Sequence, residues 1–85
     1  MLKKELTVQI PTGVEQHPIA MLVQISSQHE ATIYMEQGNK RINGKSIMGM
    51  MTLGLIAGET ITVTADGPDE AEAMQRLEAY ITSGK

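Results

Sequence analysis

ATIYMEQGNKRIN, residues 31–43, is the stretch that decides the fold. Ile33 and Met35 fall on alternate positions with polar residues between them, the period of a half-buried strand. Gly38 and Asn39 break the pattern, and Lys40 to Asn43 resumes it as a second, shorter strand. A Gly-Asn pair between two alternating runs predicts an antiparallel hairpin. A hairpin with one apolar face implies a sheet that is covered on that face alone.

The same reading extends in both directions. Towards the C-terminus, Ser46 to Leu53 is short and rich in Met, with Ser46 placed to cap one or two helical turns. Gly54 and Gly58 bracket its exit. ETITVTA, Glu59 to Ala65, is the cleanest strand: Ile61 and Val63 point one way, and Thr60, Thr62 and Thr64 the other. Asp66-Gly67-Pro68-Asp69-Glu70 then opens a helix, with Pro in the first turn and acids at its positive end. Its apolar stripe is Met74, Leu77 and Ile81, helped by Ala71, Ala73 and Tyr80, and Gly84 ends it. Towards the N-terminus, Gln16 to Gln28 has helical spacing through Ile19, Leu22, Val23 and Ser26, with Ala20 and Ile25 flanking and Pro18 in the first turn. Glu5 to Ile10 alternates again, with Leu6, Val8 and Ile10 on one face, and Pro11, Thr12 and Gly13 stop it. The predicted order is β-α-β-β-α-β-α, an α+β fold with four antiparallel strands and helices on one face.

Composition narrows the function. The 85 residues are read as a single domain, 1–85. A chain of this length buries only roughly 60–65% of its unfolded surface, so stability is expected to be marginal. A net charge of −3, two Tyr and no Phe or Trp argue against nucleic acid, which needs clustered cations and stacking rings. There is no cysteine, hence neither disulfide nor thiolate metal site. His17 and His29 stand in separate settings and give no metal site; no cofactor is expected. MLKKELTVQI has charges where a signal peptide has its apolar core, and no apolar run is long enough to cross a bilayer. The expectation is a soluble cytoplasmic protein that touches no membrane.

Two motifs carry the functional reading. The first is Lys45-Ser46-Ile47-Met48-Gly49-Met50-Met51, followed by Thr52-Leu53. The second is Gly13-Val14-Glu15-Gln16-His17-Pro18-Ile19-Ala20. With the element order they resemble, along the whole chain, the HPr family of the bacterial phosphoenolpyruvate sugar phosphotransferase system. The resemblance implies an HPr-like open-faced β-sandwich with three helices on one face. It further implies that Ser46 is the site of an ATP-dependent kinase, and that Ile47, Met48 and Met51 form an apolar patch offered to partners. The second motif departs from the family pattern G-[IL]-H-A-R-P-A. Glu15 stands where the phosphoacceptor histidine belongs, and His17 stands in place of the arginine that contacts the phosphate. This places the chain nearest the histidine-lacking, Crh-type regulatory branch of carbon catabolite control. The implied partners are HPr kinase/phosphorylase and a LacI-type catabolite control regulator. The resemblance also leaves a strand-swapped homodimer open.

The chemistry of each candidate sets its weight. Imidazole is a good nucleophile near neutral pH, whereas a carboxylate is a poor one without an activating site. Glu15 is therefore read as a solvated acid by a helix N-terminus, favourable by roughly 0.3–1 kcal/mol. It also puts a fixed negative charge where a phosphohistidine would put one. His17 is the other candidate acceptor, and the positive helix end tends to keep it neutral. Two positions along a helix turn a side chain by about 200°, away from a docked donor. A working phosphocarrier that takes phosphate from enzyme I through His17 is the alternative reading. His29, beside Glu30, is read as a helix-end cation. Lys40, Arg41 and Lys45 are candidates to attract a kinase or an acidic partner. Ile47 and Met51 share a helical face with Met48 beside them, and Met50 points to the core. No pair of residues has the spacing of an acid–base catalyst, so the chain is read as a phosphoacceptor and binding protein, not an enzyme.

Overall fold

The computed structural model describes residues 1–9, 18–53 and 58–82. Its elements are β1 (Leu2–Thr7), α1 (Pro18–Ser27), β2 (Thr32–Gln37), β3 (Lys40–Asn43), α2 (Ile47–Met50), β4 (Thr60–Asp66) and α3 (Glu70–Ile81). The four strands form one antiparallel sheet in the order β1-β4-β2-β3. The expected α+β architecture is present, with the three helices on the apolar face of the sheet.

The predicted hairpin is the β2–β3 pair. Gln37 lies opposite Lys40, so Gly38 and Asn39 alone form the loop. Gly38 takes φ +60°, a conformation that costs glycine nothing and costs a side chain strain. From this hairpin the register places Met35 beside both Ile42 and Val63, and Ile33 beside Ala65. Leu6 of β1 lies opposite Ile61. These side chains make the floor of the core. Leu22 and Ile25 of α1, Met50 of α2, and Ala73, Met74, Leu77 and Ile81 of α3 close it from above.

The other face of the sheet is polar. Glu5, Thr62, Glu36 and Arg41 form one row across the strands; Lys3, Thr64, Tyr34 and Asn43 form the next. Lys3 Nζ lies 3.9 Å from Glu36 Oε1, and the Arg41 guanidinium is 4.3 Å from the centre of the Tyr34 ring. Thr64, flanked in its row by Lys3 and Tyr34, is buried although it belongs to the polar face. A polar groove of ≈ 550 Å³ lies here, lined by Lys3, Glu5, Glu36, Gly38, Thr60 and Thr62.

Several boundaries differ from the sequence expectation. The first strand begins at Leu2, not Glu5, because β4 offers a full ladder from Thr60 to Ala65. Lys4 sits on the helix side at the sheet edge and reaches Glu78 of α3 at 2.9 Å. The chain continues the pairing past β1: Val8 N–H donates to Glu59 O at 2.7 Å, and Gln9 N–H to Ile81 O at 2.8 Å, closing the last turn of α3. Leu6 and Val8 are buried as expected, and Ile10 lies outside the described residues. The last helix starts at Glu70, so Pro68 precedes its first turn instead of occupying it. Ala73 is buried in the stripe, but Ala71 is exposed. No helix among the described residues is long and apolar enough to cross a membrane.

Candidate functional site

The site is built from the end of β3. Asn43 turns the chain by accepting twice: its side-chain Oδ1 from Lys45 N–H at 2.9 Å, and its carbonyl from Ser46 N–H at 3.0 Å. Such a local side-chain bond is what draws Asn into turns. Gly44 lets this turn press on the sheet. Its N–H donates to Ile33 O at 2.7 Å, and a Cβ here would stand 2.7 Å from Ile33 Cγ2.

Ser46 follows in extended backbone, with φ −101° and ψ 113°. It is the N-cap predicted for it: Oγ accepts from Gly49 N–H at 3.2 Å, and its carbonyl accepts from Met50 N–H at 2.9 Å. The helix that follows is a single turn, Ile47–Met50. It is finished by Thr52, whose N–H and Oγ1 both donate to Gly49 O, at 3.1 and 2.7 Å. Lys40 Nζ donates to Thr52 O at 3.0 Å.

One turn of helix divides its side chains between core and solvent. Met50 is fully buried, as expected. Ile47, Met48 and Met51 are exposed, and Ser46, which caps the same turn, is half-buried. The three cations that are near in sequence make different contacts. Lys40 closes α2, Arg41 lies on the far face over Tyr34, and Lys45 Nζ donates to His29 O at 2.7 Å. Each has a separate structural contact. Glu15 and His17 lie outside the described residues, so the degenerate loop is not part of the described site.

Sequence reasoning missed the joint between α1 and α3. His29, read as a helix-end cation, lies at that helix end but is buried, with its Nδ1 3.0 Å from Ile25 O in the last turn of α1. Behind it, Asp69 accepts from Glu30 N–H at 3.0 Å and from Ala31 N–H at 2.9 Å, one oxygen to each. Desolvation pushes the Asp69 carboxyl up, but the N–H groups of Glu30 and Ala31 with its own backbone outweigh this and hold it below its ordinary value. Glu70 is also held low, first by the terminal ammonium of Met1 and then by the Gly67 N–H. No sequence period signals these contacts, since Asp69 and Ala31 are 38 residues apart. No cluster of His, Asp and Glu able to hold a metal occurs among the described residues.

Comparison with known proteins places this geometry. The family model described as the PTS HPr component phosphorylation site matches residues 2–83. The chain belongs to the HPr family. Its relatives in that family include the HPr-like protein Crh of Halalkalibacterium halodurans, 41% identical over 81 residues, which are 95% of this chain and 96% of that one. Among solved structures, HPr-C-His from Thermoanaerobacter tengcongensis superposes with a TM-score of 0.88 at 37% identity, over 99% of this chain and 94% of the other. Crh of Bacillus subtilis, solved as a swapped, intertwined dimer, gives 0.73 at 34% identity, over 99% and 97%. The HPr open-faced sandwich expected from the sequence is therefore the fold.

Proposed function

We propose that this chain is a regulatory member of the HPr family, switched by phosphorylation at Ser46 and docking through Ile47, Met48 and Met51. The observation that carries the reading is their juxtaposition. A half-buried serine, whose hydroxyl accepts a local hydrogen bond from Gly49 N–H, caps the same helical turn that carries the exposed Ile47, Met48 and Met51. A phosphate added there places roughly −1.5 to −2 charges beside the patch and changes what it accepts. The cap bond is local, so the sheet and the two long helices are untouched by the modification. Glu15, in the acceptor position of the family motif, is a poor nucleophile for phosphate without an activating site. The chain is then a phosphoacceptor and binding protein, not an enzyme. Its partners on this reading are HPr kinase/phosphorylase and a LacI-type catabolite control regulator.

Intact mass tests this directly. The chain is incubated with HPr kinase and ATP, and in a parallel arm with enzyme I and phosphoenolpyruvate. The expected result is one acid-stable phosphate in the first arm, absent in Ser46→Ala, and none in the second. An acid-labile phosphate from phosphoenolpyruvate that disappears in His17→Ala sinks the regulatory reading in favour of a relay. Glu15→Gln tests the fixed charge: on this reading it changes affinity for the regulator, and unchanged affinity removes Glu15 from the account.

A second copy is a further partner. β1 buries one side chain, Leu6, and is otherwise held by its backbone ladder and edge contacts such as Lys4 to Glu78. Exchange of β1 between two copies keeps that ladder, with the partner's β4 in place of its own; Crh of Bacillus subtilis, a relative, was solved as a swapped dimer. Light scattering across a concentration series is expected to show a monomer–dimer equilibrium; a constant monomer mass up to millimolar concentration excludes exchange.

A further inference from the structure

The seven methionines fall into two sets. Met35, Met50 and Met74 are 0, 0 and 2% exposed, whereas Met1, Met21, Met48 and Met51 are 77, 40, 79 and 70% exposed. Met48 and Met51 are thus thioethers in open solvent on the surface proposed to dock partners, and Met50, between them in sequence, holds the same helical turn to the core. We propose that Met48 and Met51 are a reversible oxidation site at which peroxide switches the docking surface off, independently of Ser46. The inference rests on the docking reading of the previous subsection.

The chemistry needs only a peroxide. A sulfur lone pair attacks one peroxide oxygen, the O–O bond breaks, an S–O bond forms, and water leaves after proton transfer. The sulfur is oxidised by two electrons and the peroxide reduced by two. The product sulfoxide is polar and accepts hydrogen bonds, so burying it against an apolar partner surface without a donor is unfavourable. The turn itself survives. Its bonds run through the Ser46 and Thr52 hydroxyls, the backbone and Lys40, and none uses a thioether sulfur. Its anchor, Met50, is shielded from oxidant. A methionine sulfoxide reductase restores the surface.

The test combines peptide mapping with a rate. The full chain is treated with graded hydrogen peroxide, quenched, and mapped. The rate of Ser46 phosphorylation by HPr kinase is then compared with that of the same protein untreated. Met48 and Met51 are expected to gain oxygen well before Met35, Met50 and Met74, with the far-UV circular dichroism unchanged. The treated wild type is expected to lose roughly tenfold in kcat/KM, equivalent to about 1.4 kcal/mol, and to recover with reductase and dithiothreitol. In Met48→Leu/Met51→Leu the ratio of treated to untreated rate is expected to stay near one, whatever its untreated rate. Met21→Leu is expected to remain as sensitive as wild type. Oxidation of the buried set at the same rate, an undiminished rate in the oxidised wild type, or equal loss in the double Leu variant would each overturn the inference. An untreated chain that takes no phosphate overturns the docking reading and the switch with it, a failure visible before any oxidant is added.

Discussion

Ser46 and Asp69 each stand immediately before a helix, and they use their side chains in opposite ways. Ser46 Oγ accepts from Gly49 N–H, three residues on, and from nothing distant among the described residues. Asp69 makes no side-chain bond to its own helix and instead accepts from Glu30 and Ala31 across the molecule. The first cap is local and half-exposed, so it can be chemically altered at small cost to the whole. The second joins the start of α3 to the end of α1 and the approach to β2. In this fold a local cap and a bridging cap differ in reach, though their residue types are equally common at N-caps.

The strongest way to break the comparison is to spoil the distant joint. A Cβ on Gly67 would stand 2.5 Å from Ala31 Cα, which is backbone and cannot swing aside. Gly67→Ala is expected to lower unfolding free energy by about 1–3 kcal/mol in urea titration. A loss below the effect of Ser46→Ala would mean that the joint is looser than its distances.

Asp69→Asn sharpens the same point through pH. The Asp69 carboxyl titrates below its ordinary value when folded. Its contribution is therefore complete above the unfolded value near 3.8 and is lost as pH falls through the lower folded value. Glu70, also depressed, titrates in the same acid range, so the variant must be compared with wild type at each pH. The expected result is a lower thermal midpoint at neutral pH and a smaller loss on acidification from pH 5 to 2 than wild type shows. Parallel pH curves would contradict the assigned role.

At the local cap, Ser46→Ala is expected to cost about 1 kcal/mol, with Ser46→Asp recovering most of it, because a carboxylate caps as well as a hydroxyl. Equal loss in both would show that the Oγ bond to Gly49 is not the stabilising contact. The smallest effects belong to the exposed methionines of the turn. Met48→Ala and Met51→Ala are expected to shift stability by less than about 0.5 kcal/mol, while Met50→Ala, from the same turn, costs about 2–5 kcal/mol.

What was legible in the sequence follows the same division between local and distant. The Gly38-Asn39 hairpin, the two faces of β4, the Ser46 cap and the burial of Met50 each depend on neighbours within a few residues, and each was readable. The family motif around Ser46 put Ile47, Met48 and Met51 on the surface, where they are exposed, whereas periodicity alone would have assigned them to the core. The buried His29, the Asp69 joint and the separate contacts of Lys40, Arg41 and Lys45 depend on segments that meet only in the fold. The early start of β1 was hidden for a related reason. Leu2 to Glu5 buries no side chain, and its strand character is supplied by the partner strand. Glu15 and His17 lie outside the described residues, and their roles rest with the two-arm phosphorylation experiment.

The sheet order has a consequence for the chain as it leaves the ribosome. β4 lies between β1 and β2, and Leu2 lies opposite Ala65. Until residues 60–66 have emerged, the nascent chain holds at most the β2–β3 hairpin, because β1 has no partner and β2 lacks one side. A hairpin alone is marginal in water. Everything from β1 to β3 is therefore made before the sheet can close, and closure must join segments far apart along the chain, which slows it. Through that interval β1 waits unpaired, and at high local synthesis, where neighbouring nascent chains crowd together, another copy's β4 competes for it with its own.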